Sequence, residues 1–151
     1  MLTGDPTRGS AADTLPGQYW NWANTALDDT GFGLPTALVK DADAKLTVLA
    51  MDLEPDQVYH AVLAACVRSS AVEAIFALDR FAKSGQGTRL NDLLGGHYFD
   101  GTSWMPFIIE YQVKPRLLAP IDWINSFWNQ ALRAEMLGSV RSLMASAGGT
   151  R

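Results

Sequence analysis

The chain has 151 residues, 48% hydrophobic and 19% charged, a globular composition of a size that fits one domain. With 12 basic against 16 acidic residues the net charge is −4, which removes the long-range attraction behind non-specific binding of nucleic acid or anionic membrane, so neither is expected as a partner. A single cysteine excludes an internal disulfide and permits a reducing compartment.

Residues 1–17 are rich in Gly, Pro, Ser, Thr and Ala and read as a flexible tail. They contain no basic region followed by an apolar stretch, and no run approaches the roughly 20 apolar residues of a membrane span, so a cytoplasmic location is expected. A single domain is predicted over 18–147, with 148–151 as a frayed end. The domain opens on "QYWNWANTAL", where Tyr19, Trp20 and Trp22 anchor the first ordered segment. After the Gly-rich turn "TGFG", "LPTALVK" and "KLTVLAMDL" read as two strands joined by "DADA", a hairpin composition.

Pro55 marks a first helical position, and "DQVYHAVLAACVRS" continues almost without a polar face, which predicts a largely buried helix. Cys66, inside "AVLAACV", reads as a small buried hydrophobe rather than a reactive thiol. His60 has no second ligand at metal spacing and reads as a packing residue; no metal site and no cofactor are expected.

"SAVE", Ser70–Glu73, has the capping-box pattern, which predicts a second helix over 70–81. On a helical wheel Val72, Ile75, Phe76 and Asp79 share one arc, so Asp79 falls in the middle of an apolar side. An unpaired buried charge costs several kcal/mol, so a partner is required. Backbone amides of "AKSGQGTRLND", Arg89 and Arg116 are the structural options, and a pocket-facing carboxylate is the functional one. "SGQGT" lacks both the preceding strand and the Lys–Ser/Thr pair of a phosphate loop, so Gly85 reads as a helix terminator.

"LLGGHYFDGTSWMPFIIEYQV" is a hairpin with "DG" as its turn. Along its second strand Met105, Phe107, Ile109, Tyr111 and Val113 form a core face, and Trp104, Pro106, Ile108, Glu110 and Gln112 the other. A loop of even length puts His97 on that second face. Pro106 argues for an edge or a bulge, since it donates nothing to a ladder. "KPRLLAP" reads as extended, and "IDWINSFWNQALRAEML" as an amphipathic helix with Asp122 as N-cap and Ile124, Phe127, Trp128 and Ala131 inward.

These elements predict an α+β fold: a small antiparallel sheet from two β-hairpins, covered on one face by about three helices, in the order ββ-αα-ββ-α. With no paired His at helix spacing, no nucleophile elbow and only two His in all, the first functional expectation is a non-catalytic protein–protein interaction module, an adaptor or inhibitor. It would meet a protein partner, or a second copy by self-association, through an aromatic sheet face. The binding residues expected are Arg80, Trp104 and Gln112 with Trp20 and Trp22. The alternative is a small carboxylate-dependent hydrolase or lyase, with Asp79 and Glu110 in a shared cleft near His97 as acid–base candidates.

Overall fold

The computed structural model describes residues 14–28, 31–83, 89–123 and 133–138. The first helix, α1 (Leu15–Ala26), begins where Thr14 Oγ1 accepts from the Gly17 amide at 3.2 Å, and Pro16 occupies a position where no amide is needed. Residues 15–17 of the expected tail therefore belong to the ordered fold. Leu15, Tyr19, Trp20 and Ala23 recur at helical spacing and are buried, and the Trp20 indole N–H donates to the Ala119 carbonyl at 2.7 Å.

The first predicted hairpin is present as β1 (Thr36–Asp41) and β2 (Leu46–Ala50). Its "DADA" turn is held by Asp41, whose Oδ1 accepts from the amides of Asp43 and Lys45, each at 2.9 Å, while Ala44 adopts a left-handed φ of 64°. The next helix, α2 (Pro55–Ser69), starts at Pro55 as predicted. It is not largely buried: Val58, Val62 and Ala65 face the core, but Val67 is 62% exposed.

The second predicted helix is a strand, β3 (Ala71–Lys83). Ser70 does not open a helix; it closes α2, in the left-handed conformation at φ 52° and ψ 54°, with its amide bonded to carbonyls of the last turn. The strand runs buried on both faces from Ala74 to Leu78, so its sequence shows no alternation to distinguish it from a buried helix. The second predicted hairpin is β4 (Arg89–Phe99) and β5 (Trp104–Gln112), with Phe99 opposite Trp104 and 100–103 as the loop. Asp100 Oδ1 accepts from the Thr102 and Ser103 amides at 2.8 and 2.9 Å, and Gly101 supplies the φ of +101°.

"KPRLLAP" is not simply extended: it turns at 113–116, through a cis Lys114–Pro115 bond, and then forms the two-residue strand β6 (Leu117–Leu118). Asp122 does not cap a helix but lies in β7 (Asp122–Trp123), opposite Ile108. Ile124, Phe127, Trp128 and Ala131 lie outside the described residues; 133–138 are helical.

The result is one seven-stranded antiparallel sheet in the order β2-β1-β3-β4-β5-β6, with β7 also on β5. It is α+β as expected, but larger than two hairpins, with β3 joining them through β1 and β4. Both faces are covered. On one, α1 packs on Leu38, Ile75, Ala77, Leu94, Phe107 and Ile109. On the other, α2 packs on Ala37, Val39, Ala74, Phe76, Leu78 and Trp104. A strand that contributes to two cores must be apolar at successive positions, which is why "AIFAL" looks as it does.

Candidate functional site

The even loop between β4 and β5 puts His97 opposite Pro106, on the same face as Trp104, Ile108 and Glu110, as the parity predicted. That face is not a free surface. His97, Pro106 and Ile108 are buried, and Trp104 is 5% exposed. The His97 ring stacks on Phe76 at 5.7 Å and meets Tyr59 of α2 edge-on at 5.7 Å, with Nε2 3.4 Å from the Met136 carbonyl. Trp104 packs on Phe76 and Phe99 with centroids 5.9 and 5.0 Å apart. The reason is the second helical layer, which turns an apparently amphipathic sheet face into core. Pro106 sits where β5 has only β4 as a neighbour among the described residues, which accommodates its missing N–H.

Register also separates the two carboxylates. Asp79 lies opposite Leu94, which lies opposite Ile109; Glu110 lies opposite Leu93, which lies opposite Arg80. Cross-strand partners share a face and neighbours along a strand do not, so Asp79 is on the α1 face and Glu110 on the α2 face. The sheet stands between them, so among the described residues these two carboxylates do not share a cleft. Glu110 is also four residues beyond the position opposite His97, roughly 14 Å along the strand.

Asp79 itself is exposed, not buried. Among the described residues its partner is Tyr111, whose hydroxyl donates to Oδ1 at 2.5 Å, diagonally across β4. Arg116 instead ties the turn after β5 to the end of α1, donating from Nε to the Leu27 carbonyl at 3.1 Å and from Nη1 to Asn24 Oδ1 at 3.4 Å. Arg80 is described only as backbone, paired with Leu93, and Gln112 is exposed on β5. The loop "SGQGT" lies outside the described residues.

On the α1 face a cavity of about 190 Å³ opens between α1, the segment 32–36, Leu53, and β3 and β4. Tyr19, Trp22 and Phe32 form its aromatic side, Leu34 and Leu53 its apolar lip, and Asp79 is the one carboxylate among its described lining residues. Local chain geometry builds this wall. The turn Asp28–Gly31 closes by reciprocal backbone bonds of 3.1 Å, and Gly31 takes a φ of +100° that strains any residue with a Cβ. Phe32 is thereby delivered against Tyr111, edge to face at 4.9 Å, and stacked beside Trp22 at 6.3 Å; Trp22 in turn lies 5.0 Å from Tyr19. Tyr19 is fully buried and donates to the Thr36 carbonyl at 3.1 Å, and burial pushes its hydroxyl far above the ordinary phenol range.

Of the aromatic pair expected in the first ordered segment, Trp20 is a structural anchor and Trp22 lines the cavity. Phe32 and Tyr111 carry no sequence motif that marks them as site residues. The one local signal was a large ring between the two glycines of "TGFG", an odd place for a residue that has nothing to pack on.

At the far end of the same face a second tyrosine–carboxylate pair occurs. Tyr98 donates to Glu73 Oε2 at 2.5 Å, and Lys40 Nζ lies 3.6 Å from Glu73 Oε1. Burial, then the hydrogen bond and charge of Glu73, hold the Tyr98 hydroxyl well above its usual range. Glu73 thus has a cation, whereas Asp79 has none among the described residues.

No family model, characterised protein or solved structure matches the chain. Among the described residues no group of three His, Cys, Asp or Glu side chains is arranged to hold a metal ion, and no helix is long and apolar enough to cross a membrane.

Proposed function

We propose that the chain is a non-catalytic protein-interaction module, of adaptor or inhibitor type, that works by strand addition at β2 rather than through the aromatic sheet face. The observation that carries this reading is the contrast between the sheet's two edges. On the β5 side the edge is broken into the two-residue strands β6 and β7, a usual protection against unwanted pairing. On the other side β2 is an unbroken edge, "LTVLA", with no charge, proline or bulge within it. Val48 is 59% and Leu46 41% exposed on it. Among the described residues β2 pairs with β1 alone, so this edge presents outward amides and carbonyls together with an apolar side-chain row, which is what β-augmentation uses.

The occupant to which this reading commits is β2 of a second copy. About a two-fold axis at Val48, Val48 faces its own equivalent, Leu46 faces Ala50, and Thr47 faces Leu49, so no charges are opposed. A strand pair this short buries little area, and a dissociation constant on the order of 10–100 µM is expected.

The test is light scattering over a rising concentration series, with a fluorescent peptide of residues 43–53 titrated in parallel. Wild type is expected to self-associate and to bind the peptide, and Val48→Lys to do neither while keeping its circular dichroism. A wild type that stays monomeric and ignores the peptide overturns the reading. The carboxylate hydrolase or lyase alternative loses its support, because its two acid–base groups stand on opposite faces of the sheet.

A further inference from the structure

The cavity on the α1 face is independent of the β2 edge and has its own chemistry. Three features converge on it. The first is a carboxylate: Asp79 lines the cavity, is solvent-accessible and has no cation beside it among the described residues. Only Oδ1 is taken up by Tyr111, and Oδ2 faces the Gly31 turn, 3.9 Å from where a Cβ would stand. The second is a run of rings, with Tyr19 tilted against Trp22 and Trp22 stacked beside Phe32, continued edge-on from Phe32 to Tyr111 and so to the carboxylate itself. The third is size: about 190 Å³ lies below the roughly 300–1,000 Å³ of drug-sized pockets, so the ligand is small.

Aromatic faces carry negative charge density and attract ammonium groups, most of all over tryptophan, and a carboxylate adds a full opposite charge. Methylated ammonium fits this combination better than a primary amine. Its methyl groups pack on the rings and on Leu34 and Leu53, and it needs no hydrogen-bond acceptors beyond the one carboxylate. A neutral ligand would leave the carboxylate without a counter-charge, and an anion would be repelled by it.

We infer that this cavity binds a small methylated ammonium group, with the nitrogen between Asp79 and the rings of Trp22 and Phe32. The group belongs either to a free small molecule or to a methylated lysine on a protein tail. The two share one chemistry and are separated by the choice of probe.

The experiment is calorimetric titration of the full chain with three probes. These are choline, the neutral analogue of choline in which a quaternary carbon replaces the nitrogen, and a blocked tripeptide centred on trimethyllysine. At least one cationic probe is expected to bind, quenching tryptophan fluorescence, with the neutral analogue about tenfold weaker or worse. Asp79→Asn, a surface change that keeps an acceptor for Tyr111, is expected to weaken the cationic probe by about tenfold with unchanged circular dichroism. Trp22→Leu is expected to weaken it similarly and to abolish the quenching. Preference for choline assigns the site to a free metabolite, and preference for the tripeptide assigns it to a protein tail. Equal binding of charged and neutral probes, no binding of either cation, or an Asp79→Asn protein that binds as wild type overturns the inference.

Discussion

The Tyr111 hydroxyl donates to Asp79 Oδ1 at 2.5 Å across an intervening strand, so a charge that looks misplaced in the sequence is met by a phenol from a strand two positions away in the sheet. Because Asp79 is exposed, the bond stabilises without being indispensable: water is available to the carboxylate when the phenol is removed. Tyr111→Phe is expected to cost about 1 kcal/mol in urea unfolding, and Asp79→Asn less than about 1 kcal/mol, since the amide oxygen still accepts. A double-mutant cycle of Tyr111→Phe with Asp79→Ala, which removes the acceptor, should return a coupling of about 1 kcal/mol. A loss above about 3 kcal/mol for Asp79→Asn would contradict the exposed position and point to a buried ion.

At the junction of α2 and β3, Ser70 holds a left-handed conformation that costs a residue with a Cβ roughly 1–2 kcal/mol. It is exposed, so no packing is at stake. Ser70→Gly should therefore stabilise the protein by about 0.5–1 kcal/mol, and Ser70→Val should destabilise it by a similar or larger amount. Had Ser70 opened a helix, as "SAVE" suggests, Ser70→Gly would cost a few tenths of a kcal/mol instead, so the sign of the change decides.

That junction also explains which parts of the fold were legible. Both hairpins and the start of α2 carry local chemistry: Asp41 and Asp100 fold back on turn amides, and Pro55 opens a helix. Such signals act within a few residues and can be read from the sequence. β3 has none. From Ala74 to Leu78 it is buried on both faces, and the periodicity that separates helix from strand vanishes when every position is core. A helix over 70–81 makes Asp79 look buried, removes the strand that joins the two hairpins, and leaves one sheet face without a cover. His97 and Trp104 were put on the correct face by parity, but whether that face meets water depends on α2 and 133–138, which no pairing pattern reveals. The cavity was illegible for the same reason, since Asp79, Tyr111, Trp22 and Phe32 meet only once β3, β4 and β5 are in register beneath α1.

Register also governs Gly96, which pairs with Ala77 of β3 and Phe107 of β5. A Cβ there would stand 1.9 Å from the Phe76 carbonyl oxygen and 2.6 Å from the Ala77 Cα, both backbone atoms of the central strand. Neither can move without disturbing two ladders. Gly96→Ala is expected to cost about 3 kcal/mol or more, or to prevent folding. Gly33 gives the comparison: a Cβ there meets nothing within 4 Å, so Gly33→Ala should change stability by less than about 0.5 kcal/mol. Thermal melts of the two variants side by side check both, and a well-folded Gly96→Ala would mean that β3 and β4 are not paired in this register.

Cys66 lies half-buried on α2 against the core beneath it, and burial pushes its thiol up from 9.0 to about 11. The thiolate is the reactive form, so at pH 8 its population in the folded protein is roughly a hundredfold below that of the unfolded chain. Modification by a disulfide reagent should accordingly be slow on the native protein, fast in urea, and should accelerate as pH rises toward 11. The same shift has a consequence for stability. The folded state holds the proton more tightly, so the contribution of the neutral thiol is fully present below pH 9 and is lost as pH rises through about 11. Cys66→Ala should remove that share of the alkaline loss while leaving stability at pH 7 lowered by the missing packing alone. Rapid, stoichiometric modification of native protein at pH 7 would instead mark Cys66 as an accessible thiolate, at odds with its place on the core side of α2.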